Sequence, residues 1–213
     1  MAIAQYKKEK EDWYERLSDK GCGDLVVDGM KNKYLKPIEE NIKKDASIII
    51  FGAGWGRYVQ VLRNRGFVDV SGIEINEKLI ELGRKRGIEG IIRGTILSTP
   101  FRDGQFDACL DFGTVEHFNF SDQKKIIEEA KRVTRPGGSI FIDVPYINSK
   151  RALLYPVMLT KNVVKRMMGY KFHQYIYRKQ EARNILKNRG ITVVCEQISN
   201  SGCRIGIMGK KAA

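Results

Sequence analysis

Gly52, Gly54 and Gly56 fall at alternate positions in the stretch S-I-I-I-F-G-A-G-W-G-R-Y-V-Q-V, Ser47 to Val61. Glycine carries no Cβ, so such a turn can adopt positive φ and let a ligand lie against the main chain. An apolar run, Ile48 to Phe51, precedes the glycines and an amphipathic segment follows them. That is the pattern of a buried strand, a tight turn and the first turns of a helix. The free N–H groups of a helix start suit polar or anionic ligand atoms. The stretch is therefore a candidate seat for a nucleotide cofactor; the plainer alternative is a turn that only packs a helix on a strand. Glu74 stands 18 residues beyond Gly56, at the end of the next apolar run. A carboxylate there can accept two hydrogen bonds from a ribose diol. A dinucleotide and S-adenosylmethionine satisfy these requirements equally, and an acid at a helix start, just ahead of Asn76 and Glu77, is the structural alternative.

The elements that would position these residues alternate. Strands are expected at Val68 to Ile73, Ile88 to Arg93, Asp107 to Phe112, Ser139 to Val144 and Ile191 to Ile198. Helices are expected at Asn76 to Arg86, at Ser121 to Thr134 with Ser121 as cap and Pro136-Gly137-Gly138 as stop signal, and at Lys179 to Asn188. Asn200-Ser201-Gly202 marks a turn, after which Cys203 to Met208 returns antiparallel. Strands apolar almost throughout and separated by helices imply an α/β fold, with a mostly parallel sheet covered on both faces. Ahead of the glycine turn, residues 5–18 and about Gly29 to Lys44 have helical patterns, the second with Met30, Tyr34, Ile38 and Ile42 at four-residue spacing. Residues 147–177 interrupt the alternation. They hold no acidic residue, and Leu, Val and Met recur among Lys and Arg at near-helical spacing, as in an inserted lid. The chain thus reads as one domain over residues 1–213, with N-terminal helices over 1–45 and a lid over about 147–177.

Charge is distributed unevenly. The chain of 213 residues has a net charge of +13. Residues 1–146 hold 24 basic and 23 acidic groups, whereas residues 147–213 hold 14 basic and 2 acidic. The excess points to an acidic partner at one end of the molecule, or to a solvated face. Of the four cysteines no two form a C-x-x-C pair, and only two histidines exist, so neither a metal site nor a disulfide framework is expected. No apolar run is long enough to span a bilayer, and the first residues lack the apolar core of a secretory signal. A cytoplasmic location is the resulting expectation.

A later stretch reads R-G-T-I-L-S-T-P-F-R-D-G-Q-F-D-A-C-L-D-F-G-T-V-E-H-F. It resembles the region from strand three to strand four of the class I S-adenosylmethionine-dependent methyltransferases, most closely the small-molecule group that includes the quinone-biosynthesis enzymes. Pro100-Phe101, Asp103-Gly104, Phe106-Asp107 and Glu116-His117 fall in the family's register. R-P-G-G-S-I-F-I, Arg135 to Ile142, is similar to the approach to its fifth strand, and the segment from Phe172 to Ile191 to its last helix. The resemblance covers residues 45–146 and 172–209 and implies a Rossmann-like seven-stranded sheet of order 3-2-1-4-5-7-6, with strand seven antiparallel.

The resemblance also implies roles. Gly52, Gly54 and Gly56 would border the methionine part of S-adenosylmethionine, with Ala53 and Trp55 offering main chain. Glu74 would hold the ribose, Ile75 would pack on the adenine, and Thr95 and Ile96 would sit at the adenine edge. Asp111, Phe112 and Gly113 would face the sulfonium. Two positions depart from the family: Ile50 stands where an acid is usual, and Thr95 where Asp is common. A threonine hydroxyl can still accept from an amine.

Methyl transfer needs an acceptor held in line with the S–CH₃ bond and water excluded. A base helps where the acceptor must lose a proton, and His117 and His173 are the candidates. The expected function is methyl transfer from S-adenosylmethionine, leaving S-adenosylhomocysteine, to a small-molecule acceptor of hydrophobic or anionic character. The Met/Leu and Lys/Arg pattern of the lid would also suit peripheral contact with an anionic membrane surface. Alternatives are an RNA or protein methyltransferase docking through the basic last third, with aromatics of Y-K-F-H-Q-Y-I-Y-R-K as stacking groups, and a non-catalytic domain that kept the fold. The acceptor atom and the oligomeric state stay open.

Overall fold

The structure, a computed structural model, describes residues 35–147, 175–199 and 204–213. The helix expected over residues 5–18 and most of the lid expected over 147–177 lie outside these residues. In chain order the described elements are α1 (Lys36–Asn41), β1 (Ser47–Phe51), α2 (Arg57–Asn64), β2 (Asp69–Glu74), α3 (Glu77–Lys85), β3 (Ile91–Arg93), β4 (Phe106–Phe112), a 3₁₀ turn (Val115–His117), α4 (Phe120–Val133), β5 (Thr134–Pro145), α5 (Lys179–Lys187), β6 (Ile191–Ile198) and β7 (Arg204–Lys211).

The seven strands form one sheet of order β3-β2-β1-β4-β5-β7-β6. β1, β2, β3, β4 and β5 pair in parallel, and β7 runs antiparallel between β5 and β6. Side-chain alternation along each strand splits the interior into two layers. Ile49 and Phe51 of β1, Cys109 of β4 and Ile140, Ile142 and Val144 of β5 face Ile126, Ile127 and Ala130 of α4 and Ala182 and Leu186 of α5. Ile48 and Ile50, Ala108, Leu110, Phe141 and Met208 face Ile38 of α1, Val59 and Leu62 of α2 and Ile80 of α3. Both faces are thus covered, which explains why the strands read as unbroken apolar runs.

Three local expectations are corrected. α4 is capped by Asn119, whose side chain accepts from the Asp122 N–H, and starts at Phe120, one residue ahead of Ser121. Pro136-Gly137-Gly138 follows the end of α4 at Val133 as expected, but it lies inside β5, which begins at Thr134 opposite Phe106 and shifts register before Ala108 pairs with Ser139. The irregularity absorbs the proline, which has no N–H to give a regular ladder. β3 is shorter than expected and starts at Ile91.

The carboxyl ends of β4, β5 and the start of β7 meet in a buried ionic cluster. Arg204 donates through Nε to Asp143 Oδ2 at 2.7 Å and through Nη2 to Glu116 Oε1 at 2.9 Å. Asp143 and Glu116 are both almost fully buried. The guanidinium lies against Gly113, where a Cβ would stand 2.8 Å from Arg204 Nη2 and the φ is +85°. Asp111, also buried, accepts from the N–H groups of Gly113, Thr114 and Val115 and so shapes the turn after β4. Burial, with the charge of Glu116 second, raises the Asp111 carboxyl to about 7. Nearby, Tyr177 N donates to Pro145 O, Ile147 N to Tyr177 O, and Tyr175 N to Glu116 O. The chain therefore leaves the sheet after β5 and rejoins it through a closed neck.

Two outcomes are expected. Arg204→Ala strips Glu116 and Asp143 of their shared cation; urea unfolding should show a loss of about 3 kcal/mol. The Asp111 carboxyl binds its proton more tightly folded than unfolded, so its contribution is fully present below about pH 4 and is lost as pH rises through about 7. Measured across pH 4.5 to 8, the stability of the wild type relative to Asp111→Asn should fall with rising pH by an amount on the order of 4 kcal/mol.

Candidate functional site

The turn between β1 and α2 adopts the conformation its glycines permit. Gly52, Gly54 and Gly56 have φ of 64°, 58° and 87°. Two of them also have no room for a side chain. A Cβ on Gly52 would stand 2.3 Å from Thr114 Oγ1, and one on Gly56 2.6 Å from Ile88 Cγ2. The packing alternative for these glycines is thus partly met at Gly56, which seats α2 against the α3–β3 connection. Ala53 is buried in the core layer under α2. Trp55 turns its ring toward the end of α3, where the Arg86 guanidinium lies 4.4 Å from the ring centroid.

Glu74 ends β2 and is 1% exposed. Its Oε2 accepts from the Gly54 N–H at 2.9 Å, and its Oε1 from the N–H groups of Ile75 at 2.9 Å and Asn76 at 3.0 Å. One carboxylate thereby fixes the glycine turn to the start of α3. Asn76 caps that helix by accepting from the Lys78 N–H, so the helix-start role belongs to Asn76 while Glu74 bridges two turns.

A narrow cleft opens beside this carboxylate. It is lined by Gly52 and Thr114, by Ile73, Glu74 and Ile75, by Gly94, Thr95, Ile96 and Leu97, and by Phe118. It therefore collects the ends of β1, β2, β3 and β4, at the reversal of strand order where α/β sheets take ligands. Thr95 accepts from the Leu97 N–H through Oγ1 at 3.2 Å, which leaves its hydroxyl part of its acceptor capacity.

The other residues named from the sequence are not among those that line this cleft. Phe112 stacks on Tyr58 with ring centroids 3.8 Å apart. Asp111 and Gly113 belong to the buried cluster and turn described above. His117 sits in the 3₁₀ turn with its side chain 8% exposed and Nε2 3.9 Å from Glu116 Oε1. His173 is outside the described residues. Ile50 is buried among apolar side chains of the layer that includes Ala53 and Val59, so the usual acid is replaced by a core residue. Thr114 and Phe118 enter the cleft without having been singled out; the signal for both is the G-T-V-E-H-F stretch that follows β4. Among the described residues no group of three or more His, Cys, Asp or Glu side chains could hold a metal ion.

With this geometry in view, comparison with known proteins is direct. A family described as "Methyltransferase domain" matches residues 49–142. Demethylmenaquinone methyltransferase of Thermotoga maritima is 27% identical over 192 residues, covering 84% of this chain and 82% of its own. The human protein named "Probable tRNA methyltransferase 9B" is 35% identical over 104 residues, covering 48% of this chain. The chain spans only 22% of the length of that relative. A crystal structure of an S-adenosylmethionine-dependent methyltransferase from Methanosarcina mazei superposes with a TM-score of 0.70, covering 83% of this chain and 97% of the other at 18% identity. Matched family segment, strand order and carboxylate-braced glycine turn converge: residues 49–142 match a methyltransferase domain, within a sheet that has the strand order of the class I methyltransferase fold.

Proposed function

We propose that this chain is an enzyme that binds S-adenosylmethionine in the cleft beside Glu74 and transfers its methyl group to a small-molecule acceptor. The observation that carries the reading is the Glu74 carboxylate. It has about four lone-pair positions, and three accept main-chain N–H groups. The remaining capacity, on Oε2 at the cleft wall, suits a ribose hydroxyl. Ile75, Ile96, Leu97 and Phe118 form an apolar slot suited to the adenine faces. The positive-φ turn leaves main chain rather than side chains along the path of the methionine. The residues present therefore fit the cofactor.

When bound, the sulfonium supplies an electrophilic methyl group and a neutral leaving thioether. The work left to the protein is to hold the cofactor, seat the acceptor in line and exclude water. Glu74 and the apolar slot would serve the first task. His117, close to the neck after β5, is the described candidate for taking a proton from an acceptor, although its Glu116 neighbour is already engaged by Arg204. A small-molecule acceptor is favoured by the relative that matches along nearly the whole chain, a demethylmenaquinone methyltransferase. A second reading, a tRNA acceptor, is favoured by the relatives named as tRNA methyltransferases together with the basic last third.

Isothermal titration of the full chain with S-adenosylhomocysteine should show binding that Glu74→Ala weakens at least about tenfold. Folded wild-type protein that fails to bind overturns the proposal. Titration with unmodified tRNA over a range of salt separates the acceptors. Absent or salt-insensitive binding favours a small molecule, and a steep loss of affinity with salt favours tRNA.

A further inference from the structure

Arg57, the first residue of α2, is held apart from the pattern set by other arginines of the domain. Arg65, Arg132, Arg135, Arg183 and Arg204 each pair with a carboxylate. The Nε and Nη2 atoms of Arg57 are buried and have no hydrogen-bond partner, and among the described residues no carboxylate forms an ion pair with it. Burial pushes its pKa down, the direction expected of a cation stripped of water without a compensating anion. A guanidinium does not escape this cost by losing its proton, because its pKa lies too high.

Its position gives the vacancy of charge a meaning. Arg57 directly follows Gly56, and α2 has no side-chain cap. Its guanidinium carbon stands 5.6 Å from the centroid of the Tyr58 ring, and that ring is stacked on Phe112 at the carboxyl end of β4. Arg57 therefore follows directly on the turn that Glu74 braces, beside the Tyr58–Phe112 ring pair. Ile50, where relatives of this fold commonly place an acid, is apolar and buried, so no anion from β1 competes for the guanidinium.

We propose that Arg57 is the anchor for the α-carboxylate at the amino-acid end of the cofactor, an inference that rests on the cofactor reading above. The planar fork of guanidinium donors matches a carboxylate in two-point geometry, and the positive end of α2 adds to the attraction. In this chain the amino-acid end is then held through its negative group by a cation, rather than through its ammonium by an acid on β1.

The test compares two probes on the intact chain by isothermal titration: S-adenosylhomocysteine, which has the amino-acid end, and 5′-methylthioadenosine, which lacks it. Wild type should prefer S-adenosylhomocysteine. Arg57→Ala should weaken that ligand by about tenfold to a hundredfold, as expected for a charge-assisted contact, while its affinity for 5′-methylthioadenosine stays within about twofold of the wild-type value. Retained binding of the truncated probe shows that the variant is folded, and Arg57→Lys should recover part of the loss. Equal weakening of both probes, or no change in either, overturns the inference and leaves the cofactor reading standing. Wild type that binds neither probe overturns both.

Discussion

Three N–H groups from two separate turns point at one carboxylate. Glu74 accepts from Gly54 in the turn after β1 and from Ile75 and Asn76 at its own strand end. A carboxylate so buried is tolerated because its charge is met by donors rather than by water. The bond to Gly54 holds the positive-φ turn open in the one shape that clears the crevice, and the bonds to Ile75 and Asn76 set the entry of α3. Remove the acid and both turns lose their common point. The shape of the cleft beside Glu74 is thus set by this interaction before any ligand arrives.

A second buried constraint operates two strands away. The strands β4, β5 and β7 come from distant parts of the sequence, and apolar contacts alone do not fix how their ends meet. Arg204 ties β7 to Asp143 on β5 and to Glu116 beyond β4. Asp111 shapes the intervening turn through main-chain N–H groups. Burial, with the charge of Glu116 second, raises the Asp111 carboxyl to about 7. At this edge of the site buried carboxyl groups face one another, whereas the Glu74 carboxylate is met by main-chain N–H groups and keeps part of its acceptor capacity.

Much of the architecture is legible in the sequence. Ile48 to Phe51, Asp107 to Phe112 and Ile191 to Ile198 read as strands and are strands, because apolar runs bounded by glycine or acidic residues leave few other ways to bury them. The strand order follows the resemblance rather than the periodicity. The errors arise where a local signal serves a non-local purpose. Pro136-Gly137-Gly138 signals a break, but pairing of Thr134 with Phe106 draws the segment into β5. Of the residues named for the cofactor, Gly52, Glu74, Ile75, Thr95 and Ile96 share one cleft, while Thr114 and Phe118 join it only because the turn after β4 folds back over β1. Arg57 escapes notice in the sequence because an arginine after a glycine turn is unremarkable until its neighbours are seen to leave it without an anion.

The closed neck after β5 separates two kinds of inheritance. Main-chain bonds among Pro145, Ile147 and Tyr177, with Tyr175 fastened to Glu116, bring the two ends together independently of what joins them. When the two ends of an intervening segment are already clamped, lengthening the segment costs little, only about 0.6 kcal/mol for each doubling if it is flexible. Insertions, deletions and wholesale replacement between these clamps can accumulate without disturbing the register of β5 against β7 or the crevice at Glu74.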